Sequence, residues 1–302
     1  MICRMARALP RSPVPAGPRA ASPAGPSCLG QRGGQRQARS RGGHACAHGL
    51  TRPLAVLGRA TLRRHICGMV EDRITCLPKE ASRALAGAPE RICFPDYERR
   101  EIVADGVVHA LGIALALVAV PWLVWAALPG RRIAALVYGV ALLSMLIASA
   151  SYNMSRPSIL KARLRQFDYS GIFLKIAGSY TPLALHFIGG IHGLVLFAGV
   201  WLLAVLGVVF KFTAPARVER GSLFIFLALG WVILFCARAL VSADIGGHVI
   251  WLIGAGGLSY SAGVIFHRWH ALRFQNAIWH LFVVLGSGFI FLANALIVTG
   301  GG

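Results

Sequence analysis

The sequence predicts an all-α membrane protein: a seven-transmembrane helix bundle with its N-terminus cytoplasmic and its C-terminus outside. Three observations predict this. Hydrophobic residues make up 56% of the 302 residues and charged residues 14%, well under the quarter usual in soluble domains; mean hydropathy is +0.63. From Tyr97 onward, apolar stretches recur close to the ~20 residues that a helix needs to cross a bilayer. Between them, basic loops alternate with nearly neutral ones. A transmembrane barrel would need shorter, alternating strands instead.

Residues 1–92 form a basic head rich in Arg, Ala, Gly and Pro, with no Asp or Glu before Glu71. Such composition lacks the apolar periodicity to repay the entropy of ordering, so the head reads as disordered. Its prolines and glycines spoil a transit-peptide helix, and it has no apolar signal core. Alternatively, translation starts later, for instance at Met69. The net charge of +20 owes much to this head. No nucleic-acid-binding motif accompanies it, so nucleic acid is not an expected partner. Cys3, Cys28, Cys46, Cys67, Cys76, Cys93 and Cys236 form no CxxC pair. A cytoplasmic head argues against disulfides.

The membrane domain covers residues 97–300. Its spans run from Ile102 to Ala127, Ile133 to Met154, Phe167 to Ile188, Ile191 to Phe210, Gly221 to Val241, His248 to Phe266 and Ala277 to Val298. Arg99 and Arg100, then Arg156, Lys161, Arg163 and Arg165, then Lys211, Arg217 and Arg220, then Arg268 and Arg273 fall on one side. The positive-inside rule makes that side cytoplasmic, against the smaller weight of Arg131 and Arg132. The expected location is a bacterial inner (plasma) membrane.

Polar residues then gather at one depth. Glu101, Asp105 and His109 form an i, i+4, i+8 stripe at the start of the first span. Ser149 and Asn153 end the second, Asp168 opens the third, and Asn276 and His280 open the seventh. Each alone has a plain explanation: dipole compensation for the acids, capping for the asparagines, an interfacial belt for His280 beside Trp279. Four spans converging on the cytoplasmic half point instead to a shared pocket, because a charge near a bilayer centre costs about 2.5–3.5 kcal/mol. Lys175 lies two turns beyond Asp168 on the same face, either reaching back to it or supplying the fixed cation of the pocket. Arg238, in the fifth span, is placed to snorkel outward.

At these residues the sequence resembles the hemolysin III family of the progestin and adipoQ receptor (PAQR) superfamily. The resemblance rests on E-x3-AD-x2-VH-x2-G (Glu101 to Gly112), S-x3-N (Ser149 to Asn153), DYSGIFLKIAGSYTP from Asp168, GGLSYSAGVIF from Gly256 and NAIWHLFVVLGS from Asn276. It implies a seven-helix bundle with a cytoplasmic N-terminus, a zinc cofactor and ceramidase-like amide hydrolysis. The family pattern has S-x3-H and H-x3-H, whose histidines would be the metal ligands. Here those positions hold Asn153, Asn276 and His280, so His280 alone remains. An amide oxygen is a poor zinc donor. The leading expectation is therefore a non-catalytic or metal-depleted membrane protein that senses or adjusts lipid state, with membrane lipids as partners and no protein partner inferable. The alternative is a hydrolase of lipid amides or esters, with Asp168 orienting an activated water and Ser149 assisting the oxyanion. In a metal-free version His280 is the base and Asp168 orients it. A cytolysin lacks an amphipathic pore segment, a transporter lacks a visible inverted repeat, and a G-protein-coupled receptor would need the opposite N-terminal side.

Overall fold

The computed structural model describes residues 74–78, 92–213, 215–236 and 247–301. Seven α-helices carry the fold: α1 Arg99–Ala126, α2 Arg132–Met154, α3 Ile159–Pro182, α4 Gly190–Thr213, α5 Pro215–Gly230, α6 Gly247–Arg268 and α7 Gln275–Thr299. Among the described residues, six of them are long and apolar enough to cross a membrane; around α5 the apolar stretch, Gly221–Leu234, is shorter. Consecutive helices pack against one another, and α7 returns to α1. The outward faces are strongly apolar: Trp125 is 79% and Trp251 80% exposed, with Val118 and Ile133 similarly bare. Water would penalise such faces, and a lipid phase suits them. This is an integral membrane protein.

Helix α3 is the central element. It touches α2, α4, α5 and α7, and 61% of its apolar window is buried, the largest share among the six long helices. It is also the least apolar of them, as expected of a helix whose neighbours are protein rather than lipid. Small residues permit the approach. A Cβ on Gly178 would stand 2.6 Å from the Ala141 Cβ of α2, and one on Gly207 of α4 would stand 2.5 Å from the Phe173 ring. Without a hydrophobic driving force between helices in lipid, such close packing holds the bundle. After Pro182, which has no N–H to donate, Leu183–Ile188 relaxes into a π-helical turn.

Two span boundaries differ from the sequence expectation. The third helix starts at Ile159, not Phe167, because the Ser158 hydroxyl caps it by accepting from the Lys161 N–H at 3.1 Å. Lys161, Arg163 and Arg165 therefore belong to a helix rather than to a loop, and Asp168 lies more than two turns inside it. The fifth span is a helix only to Gly230 and continues as a 3₁₀ stretch, Trp231–Cys236. Arg238 lies outside the described residues, as do residues 1–73.

A small strand pair precedes the bundle. β1 (Ile74–Cys76) and β2 (Cys93–Pro95) are antiparallel, and their register sets Cys76 opposite Cys93. The two are joined as a disulfide with Cα atoms 4.0 Å apart. This corrects the expectation of no disulfide: pairing was set by strand register, which spacing in the sequence does not display. Phe94 is fully buried, and its cluster includes Ala162 of α3 and Tyr152 of α2, at the polar end of the bundle.

The tight α2–α3 seam yields a stability prediction. Gly178→Val should lower stability by about 1–3 kcal/mol through overpacking, read as a lower Tm in detergent. Gly130→Val, where nothing lies within 4 Å of an added Cβ, should change it little.

Candidate functional site

Helices α1, α2 and α7 bring six polar side chains into one hydrogen-bonded cluster. Asp105 sits at its centre, 3% exposed. One carboxylate oxygen accepts from His280 Nδ1 at 2.6 Å, and the other accepts from Asn276 Nδ2 at 3.0 Å. One turn along α1, His109 Nδ1 donates to the Asp105 carbonyl at 2.9 Å. Carboxylate and carbonyl oxygens only accept here, so both Nδ1 atoms are assigned the proton. Both Nε2 lone pairs then turn toward the Ser149 hydroxyl, 3.3 Å from His109 and 3.5 Å from His280. The two rings meet edge to face with centroids 4.3 Å apart. Asn276 Nδ2 also donates to Asn153 Oδ1 at 3.0 Å, and Asn153 Nδ2 donates to the Ser149 carbonyl at 2.9 Å.

Asp168 approaches from α3. It is buried and interacts with Ser149 and with His280. Its positive neighbour is Lys211 of α4, which is 1% exposed and lies 3.7 Å from the Tyr169 ring centroid. The sequence reading placed Lys211 in a cytoplasmic loop. The missed signal was the stripe Gly193, Leu196, Val200, Ala204, Lys211, all buried at helical spacing.

The structure separates two other expected pocket residues from this cluster. Glu101 is turned to the backbone: it accepts from the Glu98 N–H at 2.9 Å, closing a capping box, and from the Phe274 N–H at 3.0 Å. It fastens α1 to the start of α7. Lys175 does not reach back toward Asp168. Its ammonium donates to the Tyr260 hydroxyl of α6 and lies 4.2 Å from that ring's centroid. At the rim, Gln275 Nε2 donates to the Tyr97 hydroxyl at 3.2 Å, and burial pushes the Tyr97 phenol up to about 12, so it stays neutral.

A cavity of about 150 Å³ opens beside the cluster. Ser149, Asp168 and His280 line one end, Lys175 and Tyr260 the middle, and Leu183 and Ile297 the far end. Along α7, His280 to Ile297 corresponds to about 25 Å of helix. The cavity is thus long and mostly apolar, with Ser149, Asp168 and His280 at one end, Lys175 midway and Asn294 toward the other end.

The residues do not fit the zinc set that the resemblance implies. Asn153 and Asn276 spend their amides on each other, on Asp105 and on Ser149, and a neutral amide is a weak zinc ligand. Asp105, His109 and His280 do offer donor atoms within 4.8 Å of one another. That set is not the three histidines of the family pattern, and both Asp105 oxygens already accept from His280 and Asn276. The double substitution Asn153→His, Asn276→His should therefore create binding where the native chain has little. Elemental analysis of the two purified proteins is expected to find near-stoichiometric zinc in the variant and well under one equivalent in the native chain. Equal zinc in both would overturn this assessment.

Comparison with known proteins agrees with the motifs. The family described as Haemolysin-III related matches residues 98–291. Hemolysin-3 of Bacillus cereus is 34% identical over 197 residues, covering 64% of this chain and 89% of that protein. The Hemolysin-3 homolog of Bacillus subtilis (strain 168) is 33% identical over 196 residues, covering 64% and 92%. The human monocyte to macrophage differentiation factor is 27% identical over 164 residues, covering 52% and 67%. By the match across its helical domain and these relatives, the chain belongs to the haemolysin-III-related family.

Proposed function

We propose that this protein is a metal-depleted, non-catalytic member of its family that holds a lipid-derived amphiphile inside the bundle and so senses or adjusts membrane lipid state. The observation that carries this reading is the cavity: long, apolar along most of its walls and with a few placed polar groups, the acidic and histidine side chains gathered at one end. Ligand sites of this kind combine apolar lining with few placed polar groups. Here an acyl chain would lie along α3 and α7, and the polar part of the ligand would meet cavity side chains. The amide pair at Asn153 and Asn276 favours binding over metal-assisted chemistry. In this reading the chain crosses a bacterial inner membrane seven times, the fifth crossing including α5 and Trp231–Cys236. The basic ends of α1, α3 and α6 set the N-terminus in the cytoplasm and the C-terminus outside.

A second reading, hydrolysis of a lipid amide or ester, is favoured by one observation. Ser149 Oγ faces His280 Nε2 at 3.5 Å, and His280 Nδ1 meets Asp105 at 2.6 Å. That is the order nucleophile, base, orienting carboxylate, with apo distances commonly loose. Asp105, rather than the expected Asp168, would orient His280.

Two measurements separate the readings. Native mass spectrometry of the gently solubilised protein should show a bound lipid that Ala293→Phe, which fills the cavity wall, displaces. An empty wild-type protein would overturn the binding function. A fluorophosphonate probe that labels the wild type and neither Ser149→Ala nor His280→Ala would transfer the conclusion to the hydrolase. Under the leading reading no such labelling is expected.

A further inference from the structure

Lys175 is a cavity side chain that the cluster above does not use. It sits on the central helix, is 4% exposed and lines the cavity midway along its length. Among the described residues no acidic side chain pairs with it. Asp168, two turns away on the same helix, is served by Ser149, His280 and Lys211. An ammonium has three donors. One goes to the Tyr260 hydroxyl, and the ring of the same tyrosine lies beside the charge. Tyr260 in turn is 2.9 Å from the Ser287 hydroxyl. A second residue of the cavity thus orients the lysine, and Ser287 behind it orients the tyrosine.

A cation with spare donors in an apolar cavity is matched by an anion with spare acceptors. The anion's chemistry follows from the surroundings. A single lysine balances one negative charge, not the higher charge of a phosphate monoester. The walls beside it, Ile172, Ile176, Val283 and Ile290, demand an apolar body attached to the charge. Both conditions describe a long-chain carboxylic acid.

We propose that Lys175, oriented by Tyr260 and Ser287, anchors the carboxylate of a fatty acid whose chain occupies the bundle cavity. The assignment rests on the reading of the cavity as a lipid site and adds the ligand's head group to it. It places that head at mid-depth, apart from the Asp105–His280 cluster.

The test compares palmitate with hexadecanol, which share a chain and differ in charge. Binding of each is measured to the full chain in lipid nanodiscs, for wild type, Lys175→Met and Tyr260→Phe. Palmitate is expected to bind wild type about tenfold or more tightly than hexadecanol, the scale of a charge-assisted contact. Lys175→Met should erase that preference while leaving hexadecanol binding unchanged, which also shows that its cavity is intact. Tyr260→Phe should reduce the preference by part of that factor, and it decides the matter if Lys175→Met does not fold: an unaltered preference then counts against the anchor. If wild type binds both ligands equally, or if Lys175→Met keeps the preference, the carboxylate anchor is wrong while the lipid cavity stands. If wild type binds neither, both fall together.

Discussion

The contact on which the polar end depends is the Asp105 carboxylate against the start of α7. A buried carboxylate is tolerable only when its oxygens are saturated with donors. Here both are claimed by one neighbouring helix, through His280 and Asn276. One turn earlier, Glu101 accepts from the Phe274 N–H, one of the unpaired donors near the beginning of a helix. Glu98 meets Arg273 at 3.1 Å outside it. The acidic stripe of α1 is thus a seam along the N-terminal end of α7, where the helix dipole also favours negative charge. The seam does more than fasten the ring of helices. It fixes the tautomer and tilt of His280, and with them the direction of the lone pair facing Ser149. Any chemistry or binding at that end inherits its geometry from α1.

Much of this could be read before the fold was known, because helical periodicity turns spacing into direction. Asp105 with His109, Ser149 with Asn153 and Asn276 with His280 are each one turn apart, so each pair must share a face. The topology then brought the pairs to one depth, and hydrogen bonds connect all six. What was not legible depended on contacts between distant segments. Which carboxylate orients His280 depends on how α1 packs against α7, and Asp105 rather than Asp168 holds that position. Lys211 was taken for a loop cation because α4 runs further than its apolar core suggests. The Cys76–Cys93 bond follows from strand register. Tyr260 stood in a recognisable motif, yet its partner Lys175 lies 85 residues away in sequence.

The two departures from the family pattern bear on one another through electrostatics. With asparagines at the two positions where the resemblance implies histidine ligands, the acids at that end need other partners. They have found them locally: Asp105 in α7 donors, Asp168 in Lys211 and Ser149. Lys175 takes no part in satisfying these acids: its amine turns away toward Tyr260. A mid-membrane cation with no acidic partner among the described residues is expensive. The economical explanation is that its counter-ion comes with the ligand, which ties occupancy of the cavity to the charge of what enters it. The polar end acts as a structural clamp between α1, α2 and α7. In the proposed reading, discrimination among lipids lies two turns deeper, at Lys175.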